Sequence, residues 1–417
     1  MNILIKSATI IDSKSDFHNT TQDILVEKGV ISKIGKALKN PKNYREIKCD
    51  NLHISQGWFD SSVCFGEPGF EERETIKNGL KTAAASGFTS VAMNANTQPV
   101  IDTNADITFV NSKAKNNAVS LVPLGALTKE SNGTELAELF DMKNAGAAAF
   151  YDYKQPINNP NLMKIALQYA SNFGGLICSF PQEHKISGLG VMNENVTSTK
   201  LGLKGNPTLA EELHVARDLF LLEYTGGKLH IPTISTKKSV ALIREAKQKK
   251  LDVSCSVTIH NLFFDDTVLT DYNTNFKVQP PLRTRDDIDA LIEGLKDGTI
   301  DMVTSDHNPI DIEQKKVEFD YADYGTIGLE SAFGALNTIF TLKKTIALLT
   351  KSKERFGLEN SPINIGNLIN ATIFNPEGDY IFSKENIMSK SKNAIFESAS
   401  LKGTVYGIIA NNNLVLN

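Results

Sequence analysis

Cysteine is scarce in this 417-residue chain: Cys49, Cys64, Cys178 and Cys255 lie far apart and form no Cys-x-x-Cys. That spacing speaks against a disulfide framework and fits free thiols in a reducing compartment, so a cytoplasmic location is expected. Long hydrophobic runs are also missing; none reaches the ~18 residues that a membrane span needs. Residues 1–5 are apolar but short, and they predict a strand rather than a leader. Excess positive charge is absent too. Lys and Arg number 44 against 48 Asp and Glu, for a formal net charge of −4, so the basic field of a nucleic-acid binder is lacking. The pairs Lys237–Lys238 and Lys249–Lys250 are short and read as solvated helix faces. Neither Gly-x-Gly-x-x-Gly nor a Walker loop occurs, which removes the usual dinucleotide and nucleoside-triphosphate sites. There is no EF-hand loop and no Gly-x-Ser-x-Gly.

What is present is alternation. Apolar, strand-type runs recur at 58–65, 89–93, 120–124, 147–151, 175–180, 228–234, 252–258 and 301–304. Helical periodicity separates most of them, at 74–86, 135–145, 160–172, 208–224, 239–249 and 285–296. Continuous apolar strands alternating with helices imply a parallel sheet covered on its outside. Eight such units predict an α/β fold of the closed (β/α)8 TIM-barrel kind. The ends differ: 2–11 and 23–34, then 378–382, 402–410 and 413–416, read as short strands around turns. They predict a small β-sandwich module built from both chain ends, residues 1–54 and 366–417, with the barrel at 55–365. Trp58, the sole tryptophan, is expected to pack between the two. In such a barrel the chemistry sits at the C-terminal ends of the strands.

Seven blocks in order carry a family resemblance. Residues 57–69 (GWFDSSVCFGEPG) resemble the strand-one motif of dihydroorotases in the amidohydrolase superfamily, and 89–99 (TSVAMNANTQP) resemble their Met-Pro-Asn-Thr-x-Pro block. Further likenesses are 190–194 (GVMNE), Leu229-His230-Ile231 with Ser235-Thr236, 277–283 (KVQPPLR), 305–309 (SDHNP) and 325–330 (GTIGLE). The resemblance implies the barrel with a split β-module and a zinc-bound hydroxide that opens the cyclic amide of dihydroorotate. Zinc serves there by lowering the pKa of its water and polarising the carbonyl.

The ligand positions that the resemblance implies are mostly replaced. Strand one should carry His-x-His and has Ser62 and Cys64; strand five should carry His-x-Glu-Asp and has Phe180-Pro181-Gln182-Glu183; the strand-six histidine is Thr233. Asp306 survives as the relic general base, and Asp152 matches the acidic position of strand four. No metal is therefore expected; a residual site would have to use Cys64, Asp152 and Asp306. The implied substrate contacts are thinned as well. Gly66 replaces a carboxylate-binding Arg, Gln279 replaces an Asn and Ile310 a His, while Asn96 remains. Asn96, His260, Gln279 and His307 are the relic substrate-binding candidates, with His230 and His260 expected to line a polar pocket at the mouth. Cys64 has no histidine placed to activate it and reads as an inert buried thiol. His184 reads as an exposed loop residue.

The expectation is a dihydroorotase-like pseudoenzyme of pyrimidine biosynthesis with a structural or regulatory role. Its expected partners are an aspartate carbamoyltransferase or an active dihydroorotase, and a homodimer is expected. The alternatives are a working cyclic amidohydrolase with a rebuilt site and a barrel that binds a ligand without catalysis.

Overall fold

The computed structural model describes residues 1–351 and 353–417. Strands from both chain ends make one eight-stranded sheet. Ile3–Ile10 pairs antiparallel with Thr21–Glu27, with Ile3 opposite Val26, and parallel with His53–Gln56. Ala371–Ile381 then pairs antiparallel with His53–Gln56, Thr372 opposite Ser55, and so joins the C-terminal strands Ser400–Ala410 and Asn413–Leu416 to the N-terminal ones. Alternating β-branched residues fill its core, among them Ile5, Ile24, Val26, Ile54, Ile373 and Ile409. The strand expected at 378–382 begins earlier, at Ala371. Asn375-Pro376-Glu377-Gly378 reads as a turn, yet it is absorbed as a register shift between Asn375 and Asp379.

The barrel strands are buried on both faces. Trp58–Val63, Phe88–Met93 and Ser120–Pro123 form one parallel run. Leu176–Cys178, Lys228–Ile231, Val253–Thr258 and Met302–Thr304 form another. The strand expected at 147–151 is reduced to single bridges from Phe150 to Gly125 and Ile177, which join the two runs on one side. A bridge from Val63 to His307 closes the circle on the other. Helices cover the outside and start on side-chain caps: Thr75 accepts from the Asn78 amide, Thr236 from Ser239, and Thr284 forms a capping box with Asp287. The helix expected at 135–145 forms only over Leu139–Asn144.

The N-terminal end of the barrel is plugged by the turn Lys353–Phe356. The Phe356 ring lies 5.4 Å from Phe59 and 5.7 Å from His230. Arg355 donates to the Leu229 and Asp252 carbonyls, and Lys353 donates to the Gly57 carbonyl. Gly57 is the hinge between sheet and barrel; a Cβ there would sit 2.1 Å from both Asn370 Oδ1 and Thr89 Oγ1. Beside it, Trp58 stacks on Phe333 at 4.9 Å, lies 5.6 Å from Phe374 of the terminal sheet, and donates from Nε1 to Ser55 Oγ. With this end filled, the barrel opens at its C-terminal mouth, where strand ends in such a barrel carry their chemistry.

Candidate active site at the barrel mouth

Asp60 fixes the frame of the mouth. It accepts from Thr304 Oγ1 (2.5 Å), the Ser305 amide (2.8 Å) and the Ser62 amide (3.0 Å), so one carboxylate ties the first strand to the end of the eighth. Asp306 follows, in the left-handed region at φ 49°, and its side chain turns into the barrel, 2% exposed.

An ammonium group occupies the partner position of this carboxylate. Lys154 Nζ stands 2.6 Å from Asp306 Oδ2. Ser62 Oγ (3.1 Å) and Tyr153 Oη (3.2 Å) donate to Oδ1. Asn94 Nδ2 donates to Ser62 Oγ (3.0 Å) and reaches Cys64 Sγ (3.5 Å). The Lys154 ammonium also lies 5.1 Å from the Tyr153 ring centre. Lys154 is 7% exposed, so this is a buried, hydrogen-bonded ion pair rather than a surface contact. Burial, reinforced by the Asp306 charge, pushes the Cys64 thiol up to about 11, which leaves it protonated and inert.

This donor set does not fit a zinc ion of the amidohydrolase kind. Such a site needs three well-placed anionic or imidazole donors and an open position. Among the described residues no group of three His, Cys, Asp or Glu could hold a metal. Both Asp306 oxygens are engaged, Phe180 is buried and apolar, and Thr233 supplies only a hydroxyl. The fallback set of Cys64, Asp152 and Asp306 is not assembled either. Asp152 turns away from the centre and accepts from the Leu127 amide (2.8 Å), the Thr128 amide (2.9 Å) and the Thr128 hydroxyl. It holds the neighbouring strand-end loop and is unavailable as a ligand.

The relic substrate residues are scattered. Gln279 donates to Gln182 Oε1 at 3.1 Å, and both line a cavity of about 680 Å³ with Lys154, Lys204, Lys277 and Tyr324. His184 also lines that cavity and is half-buried rather than exposed. Asn96 keeps a buried Oδ1 without a partner, as does His260 at Nε2. Burial, helped by the Lys154 charge, holds His260 at about 3, so it is neutral. His307 has a structural use: its Nδ1 accepts from the Gly328 and Leu329 amides and caps helix Leu329–Ile339. His230 does not reach the mouth. It bonds Ser254 Oγ at 2.9 Å and packs on the Phe356 plug, because its strand position points into the lower barrel. Gly66 shows why the carboxylate-binding Arg cannot stand there. At φ +68°, a Cβ would approach the Phe70 carbonyl oxygen to 2.5 Å.

Sequence reasoning missed Lys154, although it directly follows Tyr153; nothing in a lysine after a strand end signals that it will fold inward. It also missed a buried cluster behind strand five. Ser179 Oγ lies 3.4 Å from His214 Nε2, and His214 Nδ1 lies 3.1 Å from Glu183. The Ser179 proton goes to Asp218 at 2.5 Å instead, and Arg217 occupies the His214 Nε2 lone pair at 2.7 Å. These contacts lock helix Thr208–Thr225 to the barrel and leave no activated nucleophile.

A TIM barrel with a β-sandwich formed by both chain ends, and a site confined to the strand C-termini, defines the amidohydrolase class of folds. The solved L-hydantoinase (dihydropyrimidinase) from Arthrobacter aurescens is similar over 100% of this chain and 96% of its own, with a TM-score of 0.85 at 19% identity. D-hydantoinase from Thermus sp. gives 0.82 at 20% identity, over 100% and 95%. A family model described as dihydro-orotase-like matches residues 53–239. A protein named dihydroorotase from Thermoanaerobacter sp. (strain X514) is 40% identical over 97% of this chain and 95% of its own length. Another from Geotalea daltonii is 38% identical over 100% and 99%. The chain belongs to the dihydro-orotase-like family. No described helix is long and apolar enough to cross a membrane.

Proposed function

We propose that this chain is a dihydroorotase-like protein of pyrimidine biosynthesis that has exchanged metal catalysis for a structural or regulatory role. One observation carries the reading: the Lys154 ammonium stands 2.6 Å from Asp306, where hydrolysis would need a cation that activates water. An ammonium balances the carboxylate but offers no coordination site for hydroxide and cannot polarise a carbonyl as a Lewis acid does. The full-length likeness to proteins named dihydroorotase supports the pathway assignment. The role is then to support a catalytic partner in the cytoplasm, such as an aspartate carbamoyltransferase or an active dihydroorotase.

The test is direct. Protein purified without chelators is assayed in both directions between dihydroorotate and carbamoyl aspartate, with zinc measured by mass spectrometry. Turnover at the buffer rate and well under one zinc per chain are expected. Turnover together with stoichiometric zinc would establish the rebuilt-hydrolase reading instead. A second reading, a ligand-binding barrel, is favoured by the 680 Å³ cavity and its lysine and amide side chains. Thermal stabilisation by orotate, dihydroorotate or carbamoyl aspartate would support it.

A further inference from the structure

A second cavity, of about 300 Å³, opens at the plugged end of the barrel, where the β-module meets the barrel floor. Its walls come from four places in the chain: the turn that follows Ile3–Ile10, the end of His53–Gln56, the helix Leu342–Thr350, and Glu354 of the plug turn. Ile11 and Ile346, both buried, supply an apolar wall. Lys14, Lys343 and Lys351 stand exposed at the rim. Glu354 is the exposed carboxylate among them, 3.7 Å from Lys14 and also held by Asn360.

Asp12 organises the interior. It is buried, and its carboxylate is fully engaged: Oδ1 accepts from Gln56 Nε2 (2.8 Å) and the Lys14 amide (3.0 Å), and Oδ2 accepts from the Ile363 amide (2.9 Å). Its own amide donates to His18 Nδ1 at 3.2 Å. These bonds fix two side chains. Only the amino end of Gln56 can donate to a carboxylate, so Oε1 is its free end. Only an unprotonated Nδ1 can accept, so His18 carries its proton on Nε2. Gln56 is 6% exposed. Gln56 Oε1 and His18 Nε2 are both buried, and neither has a hydrogen-bond partner among the described residues. The cavity thus presents an unused acceptor and an unused donor, both oriented by one residue, and buried polar atoms are ordinarily paired.

We infer that this cavity binds a nucleoside monophosphate. Three features select that class together. Every nucleobase sets a hydrogen-bond donor beside an acceptor on its pairing edge, which answers Gln56 Oε1 and His18 Nε2–H. The faces of the base suit the wall of Ile11 and Ile346, and the phosphate reaches the lysines at the rim. Asp12 does not oppose the anion, because its three donors balance its charge. A volume of 300 Å³ lies at the lower end of small-molecule sites, roughly 300–1,000 Å³, which suits one mononucleotide and excludes a dinucleotide or a peptide. The site is at the other end of the barrel from the mouth and does not depend on whether the mouth is catalytic.

Calorimetric titration of the full chain with uridine, cytidine, adenosine and guanosine monophosphates tests it, with uridine and inorganic phosphate as controls. One-to-one binding of at least one nucleotide, tighter than about 1 mM, is expected, with inorganic phosphate at least about tenfold weaker. His18→Phe and Gln56→Met should each weaken the nucleotide about tenfold, the worth of one hydrogen bond. Both side chains also hold Asp12, so a variant that spares the interior completes the test. Lys14→Ala with Lys343→Ala changes only exposed side chains, and its circular dichroism should match the parent. It should weaken the nucleotide about tenfold and leave uridine unaffected. Gln279→Ala, which alters the mouth cavity, should leave nucleotide affinity as in the parent. Failure of all four nucleotides to bind at about 1 mM overturns the inference. So does binding that the lysine double variant leaves intact, or binding that Gln279→Ala abolishes, which would put the nucleotide in the mouth.

Discussion

Replacing Lys154 by Met keeps most of the stem and removes the charge that faces Asp306. The structure sets the magnitude. At 2.6 Å and an effective dielectric near 20, the attraction between the two charges is about 6 kcal/mol. The desolvation of each buried ion opposes it by several kcal/mol, so the pair as a whole is close to neutral for stability. The single substitution is different, because it leaves the Asp306 carboxylate buried with only Ser62 and Tyr153 as donors. The expected loss is about 3–5 kcal/mol. Lys154→Met with Asp306→Asn removes both charges and should recover most of that loss. Urea unfolding at pH 7.5 of the parent, both single variants and the double variant closes the cycle. A coupling energy below about 1 kcal/mol would refute the claim that an ion pair has taken over the centre.

Three buried histidines give stability a pH dependence. Burial holds His230 at about 3, with Arg355 adding to the effect; His260 lies at about 3 and His307 at about 4. Their folded values lie below the unfolded value near 6.5, so the unfolded chain binds more protons as pH falls. Their contribution is complete above about pH 6.5 and is lost between there and about pH 3–4, by up to about 1.4 kcal/mol per pH unit for each ring. Burial raises the Asp60, Asp152 and Glu330 carboxyls and works in the opposite direction at the acid end. Urea midpoints at pH 7.5 and 5.0 should therefore differ, and His260→Asn should shrink the difference; equal midpoints would contradict the assignment of neutral rings. Phe356→Ala should cost about 3–5 kcal/mol by opening the plug between Phe59 and His230. Unchanged thermal stability in that variant would show that the lower barrel does not depend on the plug.

The barrel was legible because its signal is local and repeated. A run such as 121–124 (LVPL) is apolar throughout only if both faces are covered, and the segments between the runs carry helical periodicity with Thr and Asp caps. Replacement of the implied histidines was legible too, since Ser62, Cys64, Phe180 and Thr233 stand at those positions. The long strand at Ala371–Ile381 was less legible, because Pro376 and Gly378 look like a turn until the neighbouring strands hold them as a bulge.

The sequence by itself thus determined the periodicities, the family and the replacement of the implied histidines. Tertiary structure alone decided which group faces Asp306. Lys154 and Asp306 are 152 residues apart and meet only because the barrel closes. Asp152, two positions before Lys154, is drawn the other way by the Leu127 and Thr128 amides. Which of two nearby polar side chains enters a core depends on where their hydrogen-bond partners stand. Those partners come from strands and loops that the local sequence does not contain.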